Sequence, residues 1–116
     1  MITKQTIFIS VSDDLDLAEK YFSIVSVLNN LDMAKREVQM LAFTAVKGNI
    51  GSNVLKKEFV ERYDSSLATV GNIISKWAKK GLFIKEKKMV YVNKGLLNDF
   101  KSNVQLDITL SHVKEG

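Results

Sequence analysis

The chain has 116 residues, 46% hydrophobic and 26% charged, which is enough length and apolar content for one folded domain. It has no cysteine, which excludes disulfides and thiolate metal sites. No apolar run approaches the roughly 18 residues of a membrane span, and the N-terminus becomes polar and acidic too early for a secretory signal. These features predict a soluble intracellular protein with no membrane partner.

The positive charge is concentrated in one block of the chain. The formal net charge is +4, but residues 52–101 hold eleven Lys or Arg against five Asp or Glu, whereas the segments on either side are each at −1. Uneven basicity of this kind is typical of a face that binds a polyanion. Solvated lysines on an ordinary surface are the alternative interpretation.

The N-terminal part of the sequence predicts a strand followed by a helix. Residues 5–12 alternate between apolar and polar side chains, which predicts a β-strand with one apolar face: Ile7, Ile9, Val11. Asp13 and Asp14 then offer a helix N-cap, and we interpret the acidic cluster that continues to Asp16 as capping rather than metal binding. Helical spacing predicts these inward residues: Leu17, Tyr21, Ile24, Val25, Leu28.

Two further helices are predicted in the middle of the chain. Asp32 is a candidate cap for the first of them, Gly48 closes it, and the turn after Gly48 leaves room for a very short strand around Ile50. Its predicted inward residues are Val38, Leu41, Ala42 and Ala45. The next helix begins at Ser52 or Asn53 and ends near Tyr63, with these residues inward: Val54, Leu55, Phe59, Val60.

A fourth predicted helix, from about Ser66 to Lys80, is amphipathic. Its inner stripe is predicted to be Leu67, Val70, Gly71, Ile74, Trp77 and Ala78. Its opposite face is polar and basic: Ser66, Thr69, Asn72, Ile73, Lys76, Lys79, Lys80. We interpret Trp77 as a core residue, and Gly71 as a point where another helix approaches closely.

A hairpin follows this helix directly. Residues 82–85 and 89–93 resemble strands, and the turn at 86–88 lacks Gly and Asn, which favours a type I or longer loop over a tight two-residue one. Residues 94–101 are predicted to add a short helix. Residues 104–110 alternate strictly between apolar and polar side chains, which predicts a C-terminal strand.

Signatures of catalysis are absent from the sequence. We find no phosphate-binding glycine loop, no nucleophile elbow and no paired-histidine metal motif, and the only histidine, His112, lies near the C-terminus. The sequence therefore predicts a protein that is not an enzyme and uses no cofactor or metal.

The fourth helix and the hairpin together suggest a nucleic-acid interface. A helix in the major groove needs polar side chains near its N-terminus and cations near the phosphates. The candidate DNA-binding residues are Ser66, Thr69, Asn72, Lys76, Lys79, Lys80, Lys85, Lys87 and Lys88. Asn72 is the best candidate for a base contact, since an amide can pair bidentately with adenine. Neither Arg36 nor Arg62 lies on this face, so affinity is expected to come mainly from phosphate contacts.

The order of these elements resembles the winged helix-turn-helix superfamily. The resemblance covers residues 31–94 and depends on the segment TVGNIISKWAKKGLF and on a hairpin that ends in Tyr91-Val92-Asn93. It is closest to small regulators and replication proteins of bacterial plasmids and phages. The resemblance implies that the fourth helix is a recognition helix and that residues 85–88 form the wing.

The sequence thus predicts an α+β fold in a single domain. Residues 31–94 form the winged-helix core, residues 1–30 add a strand and a helix, and residues 95–116 add a short helix and a strand. The expected function is non-enzymatic duplex-DNA binding in a phage- or plasmid-type transcriptional regulator or replication accessory protein, located in the host cytoplasm. The alternative is a structural subunit of a larger particle such as a phage virion, with the terminal strands joining a homo-oligomer or an assembly partner.

Overall fold

The computed structural model describes residues 9–96, which form an α+β fold of four α-helices and a two-stranded antiparallel sheet. In chain order the elements are α1 (Asp14–Leu28), α2 (Lys35–Lys47), α3 (Asn53–Tyr63), α4 (Leu67–Lys79), β1 (Phe83–Glu86), β2 (Met89–Val92) and a 3-10 turn (Lys94–Leu96). The α+β class expected from the sequence is confirmed. Within this range, none of the helices combines the length and the apolar character needed to cross a membrane.

Side-chain caps explain where most of the helices begin. The carboxylate of Asp13 accepts a hydrogen bond from the Asp16 backbone N–H at 2.8 Å, so the capping interpretation of the acidic cluster is confirmed. Ser52 caps α3, and its hydroxyl accepts from the Leu55 N–H at 3.1 Å. The expectation for α2 was wrong, because Ala34 and not Asp32 is its N-cap residue.

Helix α1 packs along α2, but on a different face from the predicted one. Its buried residues are Leu15, Ala18, Phe22 and Ser26, and the predicted set is only partly buried or, at Leu28, exposed. Apolar side chains occupy most of the circumference of this helix. Periodicity alone therefore could not determine which face contacts α2.

The buried core is built around α2, with side chains from all four helices and the hairpin. Helix α2 contributes an almost continuous buried run, from Glu37 to Thr44 apart from the half-buried Gln39, which includes the predicted residues Val38 and Leu41. Phe59 from α3 packs edge-on against Phe43 of α2, with 5.4 Å between the ring centroids. Val54, predicted to face inward, is instead 76% exposed in the first turn of α3.

The hairpin has a tighter turn than the sequence suggested. Glu86 pairs directly with Met89, which leaves a two-residue loop of Lys87 and Lys88, so the expectation of a longer turn was wrong. Lys87 adopts a left-handed backbone conformation with φ of 55°, which glycine or asparagine more commonly supplies.

A segment before α3 extends the hairpin on the β2 side. The Ile50 N–H donates to the Val90 carbonyl at 2.9 Å, and the Val90 N–H donates to Asn49 Oδ1 at 2.9 Å. Gly51 is tightly fitted here, because a Cβ on it would lie 2.1 Å from the Lys88 carbonyl oxygen. The very short strand that the sequence allowed around Ile50 is therefore not formed, and a single backbone bond joins this segment to β2.

Several predicted elements lie wholly or partly outside the described residues. Of the N-terminal strand only residues 9–12 are described, and these four residues are not in a strand. The predicted helix at 94–101 is described only as far as the 3-10 turn Lys94–Leu96. The predicted C-terminal strand at 104–110 and His112 lie outside the described range.

Candidate nucleic-acid interface

Helix α4 is rotated slightly from its predicted orientation. Its buried residues are Val70, Ile73, Ile74 and Trp77. Trp77 is fully buried, as predicted, but Ile73, which was predicted to face outward, is only 7% exposed. Two predicted inner residues are instead at the surface: Leu67 is 56% exposed, and Gly71 has no atom within 4 Å of the position that a Cβ would occupy. The proposed packing role of Gly71 was therefore wrong.

The rotation changes which side chains form the outer face of α4. Opposite the buried arc lies a row of four exposed residues, spaced four, three and four positions apart: Ala68, Asn72, Ser75, Lys79. Asn72 and Lys79 were predicted for this face, whereas Ala68 and Ser75 were missed. They would have been identified from the sequence if the inner stripe had been centred on Ile73 and Ile74.

Two of the predicted contact residues are used within the protein. Ser66 is the N-cap of α4, and its hydroxyl accepts from the Thr69 N–H at 3.1 Å and donates to Thr69 Oγ1 at 3.0 Å. Thr69 is half-buried. These two hydroxyls therefore hold the first turn of the helix together, and Ser66 and Thr69 are not part of the outer row.

A buried carboxylate connects α4 to the start of α2. Glu37 Oε2 accepts a hydrogen bond from Trp77 Nε1 and lies 3.0 Å from Lys76 Nζ, while Glu37 Oε1 accepts from the Ala34 backbone N–H at 2.8 Å. Glu37 is only 6% exposed. Lys76, predicted as a phosphate contact, is thus paired with Glu37, and sequence reasoning missed Glu37 because a glutamate in a first helical turn looks like an ordinary surface charge.

Hydrogen bonding keeps Glu37 ionised in spite of its burial. Burial by itself would raise the pKa of this carboxyl, but the Ala34 N–H, the Lys76 ammonium and the Trp77 indole N–H together hold the pKa below its ordinary value. The Glu37 carboxylate therefore has donors from the start of α2 and from α4, and it links the two helices.

The other lysines predicted to contact DNA are exposed, and they lie in two groups, one on α4 and one on the hairpin. Lys79 and Lys80 lie at the C-terminal end of α4, and Lys80 Nζ also lies 5.1 Å from the centroid of the Trp77 ring. Lys85, Lys87 and Lys88 lie on the hairpin, the last two at its tip. Among residues 9–96 none of these five lysines forms an ion pair. Helix α4 contacts β1, so the two elements that carry these lysines are neighbours in the fold.

The described part of the chain contains no group of three or more His, Cys, Asp or Glu residues arranged to hold a metal ion. Comparisons with models of protein families, with curated proteins and with solved structures found no match to this chain.

Proposed function

We propose that residues 31–94 form a winged helix-turn-helix domain that binds duplex DNA, as part of a phage- or plasmid-type transcriptional regulator or replication accessory protein. The order α2, Ile50, α3, α4, β1, β2 supports this proposal, since it matches three helices and a wing whose sheet gains a backbone bond from the segment before the second helix. In this arrangement α4 is the recognition helix and the hairpin is the wing.

The exposed outer row of α4 is the observation that supports DNA binding most directly. Its Asn72 and Lys79 side chains are exposed to solvent. Neither side chain forms a hydrogen bond or an ion pair with any of the described residues. A helix that enters the major groove needs an uncovered polar face of this kind, with cations where it leaves the groove. Cations on the wing would contact the neighbouring phosphates.

A salt-dependent titration tests the proposal. We expect the full-length protein to bind a duplex of random sequence, with log K falling linearly as log salt rises. In the double variant Lys87→Ala with Lys88→Ala, the magnitude of this slope should fall by about 1 for each phosphate that the wing no longer neutralises.

A matched control separates local contacts from net charge. Lys20 and Lys35 line a groove between α1 and α2, away from α4 and the hairpin, so Lys20→Ala with Lys35→Ala removes the same charge elsewhere. Exposed charges separated by more than the Debye length, roughly 8–10 Å at 0.1–0.15 M salt, are largely screened. The control variant should therefore change the salt slope less than the wing variant does. Equal slopes for wild type and wing variant, or no binding at low salt, would contradict the proposal.

The alternative function, an assembly subunit, is favoured by one surface feature. Val27 and Leu28 at the C-terminal end of α1 are adjacent aliphatic residues with exposures of 75% and 47%. A pair of this kind can anchor a protein contact. A protein that ignores duplex DNA at low salt, yet forms large complexes that Val27→Ser with Leu28→Ser disrupts, would favour this function instead.

A further inference from the structure

We infer that α4 reads A·T base pairs, so that the DNA this protein prefers is A·T-rich at the positions under the helix. This preference rests on the proposed function and specifies its substrate. It follows from the base-reading groups that the outer row of α4 carries and from those that it lacks.

Asn72 is the residue on α4 best suited to contact adenine. Its side chain is exposed at the centre of the outer row, and its amide has no hydrogen-bond partner among the described residues. An amide offers one donor and one acceptor side by side, which matches the N7 acceptor and N6 donor of adenine in the major groove. A free amide at this point on a groove-facing helix is therefore suited to adenine.

Ala68 is a second residue on α4 that favours A·T base pairs. It lies one turn before Asn72 on the same exposed row, about 6 Å along the helix axis. An alanine methyl in this position can pack against the C5-methyl of thymine, the one apolar group that the major groove presents. Ser75 follows Asn72 on the outer row, and a serine hydroxyl can hydrogen-bond to A·T and G·C pairs alike.

Of the groups that read G·C pairs, α4 itself carries only two lysines, Lys76 and Lys79. Cytosine is read through its N4 donor by Asp or Glu, and α4 contains neither. Guanine is read by Arg or Lys, and neither arginine is on α4: Arg36 donates to the Tyr63 carbonyl, and Arg62 lies over the Tyr63 ring at 5.8 Å. Lys76 is paired with Glu37 at 3.0 Å. Lys79 is the one free cation on the outer row among the described residues, and it lies in the last turn, where phosphates are nearest.

Two duplexes of equal length, one A·T-rich and one G·C-rich, test the inference by fluorescence anisotropy at several salt concentrations. We expect the wild type to bind the A·T-rich duplex at least about fivefold more tightly. Asn72→Ala should reduce that ratio by about fivefold or more, while the salt slope stays unchanged. Replacing adenine by 7-deazaadenine, which lacks the N7 acceptor, should weaken wild-type binding and leave the Asn72→Ala variant unaffected.

A control variant and the pattern of results distinguish the proposed A·T preference from the proposed DNA binding itself. Gln39→Ala removes an amide from the groove between α1 and α2, and it should leave the A·T preference intact. Wild-type protein that binds both duplexes equally with a normal salt slope overturns the A·T inference alone. A preference that persists in Asn72→Ala also overturns it, since the discrimination would then come from groove shape. Absence of salt-dependent binding to either duplex overturns the proposed function itself.

Discussion

Glu37 connects α2 to α4, the proposed recognition helix, through a buried carboxylate. Its carboxylate is buried, yet it accepts hydrogen bonds from the Ala34 N–H, the Trp77 indole and the Lys76 ammonium. Removing it would leave the buried indole N–H without an acceptor, and an unsatisfied buried donor is costly. Its structural contribution is thus larger than that of a surface glutamate.

We therefore expect Glu37→Ala to lower the free energy of unfolding by about 1–3 kcal/mol, because it leaves the buried Trp77 indole N–H without an acceptor. Urea unfolding followed by circular dichroism measures the destabilisation. Glu58→Ala is the control, since the Glu58–Lys47 ion pair at 3.2 Å is solvent-exposed and should contribute less than about 1 kcal/mol. Similar destabilisation in both variants would contradict a special role for Glu37.

The lowered pKa of Glu37 predicts a pH dependence of stability. Because its pKa is lower in the folded state than in the unfolded state, the unfolded chain binds more protons at acidic pH. The stabilisation is fully present above the ordinary glutamate pKa and is lost as the pH falls through the lowered folded value. The free energy of unfolding of Glu37→Gln should therefore depend less steeply on pH in this acidic range than that of wild type, as measured by urea titrations at a series of pH values.

At the scale of elements, two glycines predict opposite effects of the same substitution. Gly71 lies on the exposed side of α4 with open space around it, so Gly71→Ala should stabilise the protein by about 0.5–1 kcal/mol through helix propensity. Gly51 lies against β2, where a Cβ would meet the Lys88 carbonyl, so Gly51→Ala should destabilise it by about 1–3 kcal/mol.

Thermal unfolding of the two glycine variants tests this pair directly. The Gly51→Ala variant should also show faster amide exchange at Ile50 and Val90, whose backbone bonds depend on the close approach. A Gly51→Ala protein as stable as wild type would mean that the segment before α3 is not held against the hairpin.

The positions of the helices were predicted more accurately from the sequence than the faces that the helices bury. Caps such as Asp13 and Ser66 act locally, so the sequence alone located the starts of three helices within a residue. The buried face of a helix depends on its neighbours, and this is why Ile73 and Leu67 were exchanged between faces. The Glu37–Trp77 bond joins residues 40 positions apart, and no short-range pattern could indicate it.

For the whole molecule, the terminal segments are predicted to control association rather than DNA binding. Deleting residues 102–116 should leave the salt slope of DNA binding unchanged and reduce self-association or partner capture, as measured by sedimentation velocity. The sequence alternation offers a matched pair: Leu106→Asp lies on the apolar face of the predicted strand, and Gln105→Asp lies on its polar face. Only the first should impair association, and equal effects would contradict the predicted strand.

The position of Trp77 makes its intrinsic fluorescence a probe of binding at α4. This is the only tryptophan in the chain; its indole N–H donates to Glu37, and the ammonium groups of Lys76 and Lys80 each lie 5.1 Å from the ring centroid. A polyanion that draws either lysine away from the ring would change the electric field across the indole and therefore its emission. Occupancy of α4 could then be followed by intrinsic fluorescence, on unlabelled protein and without altering a single residue.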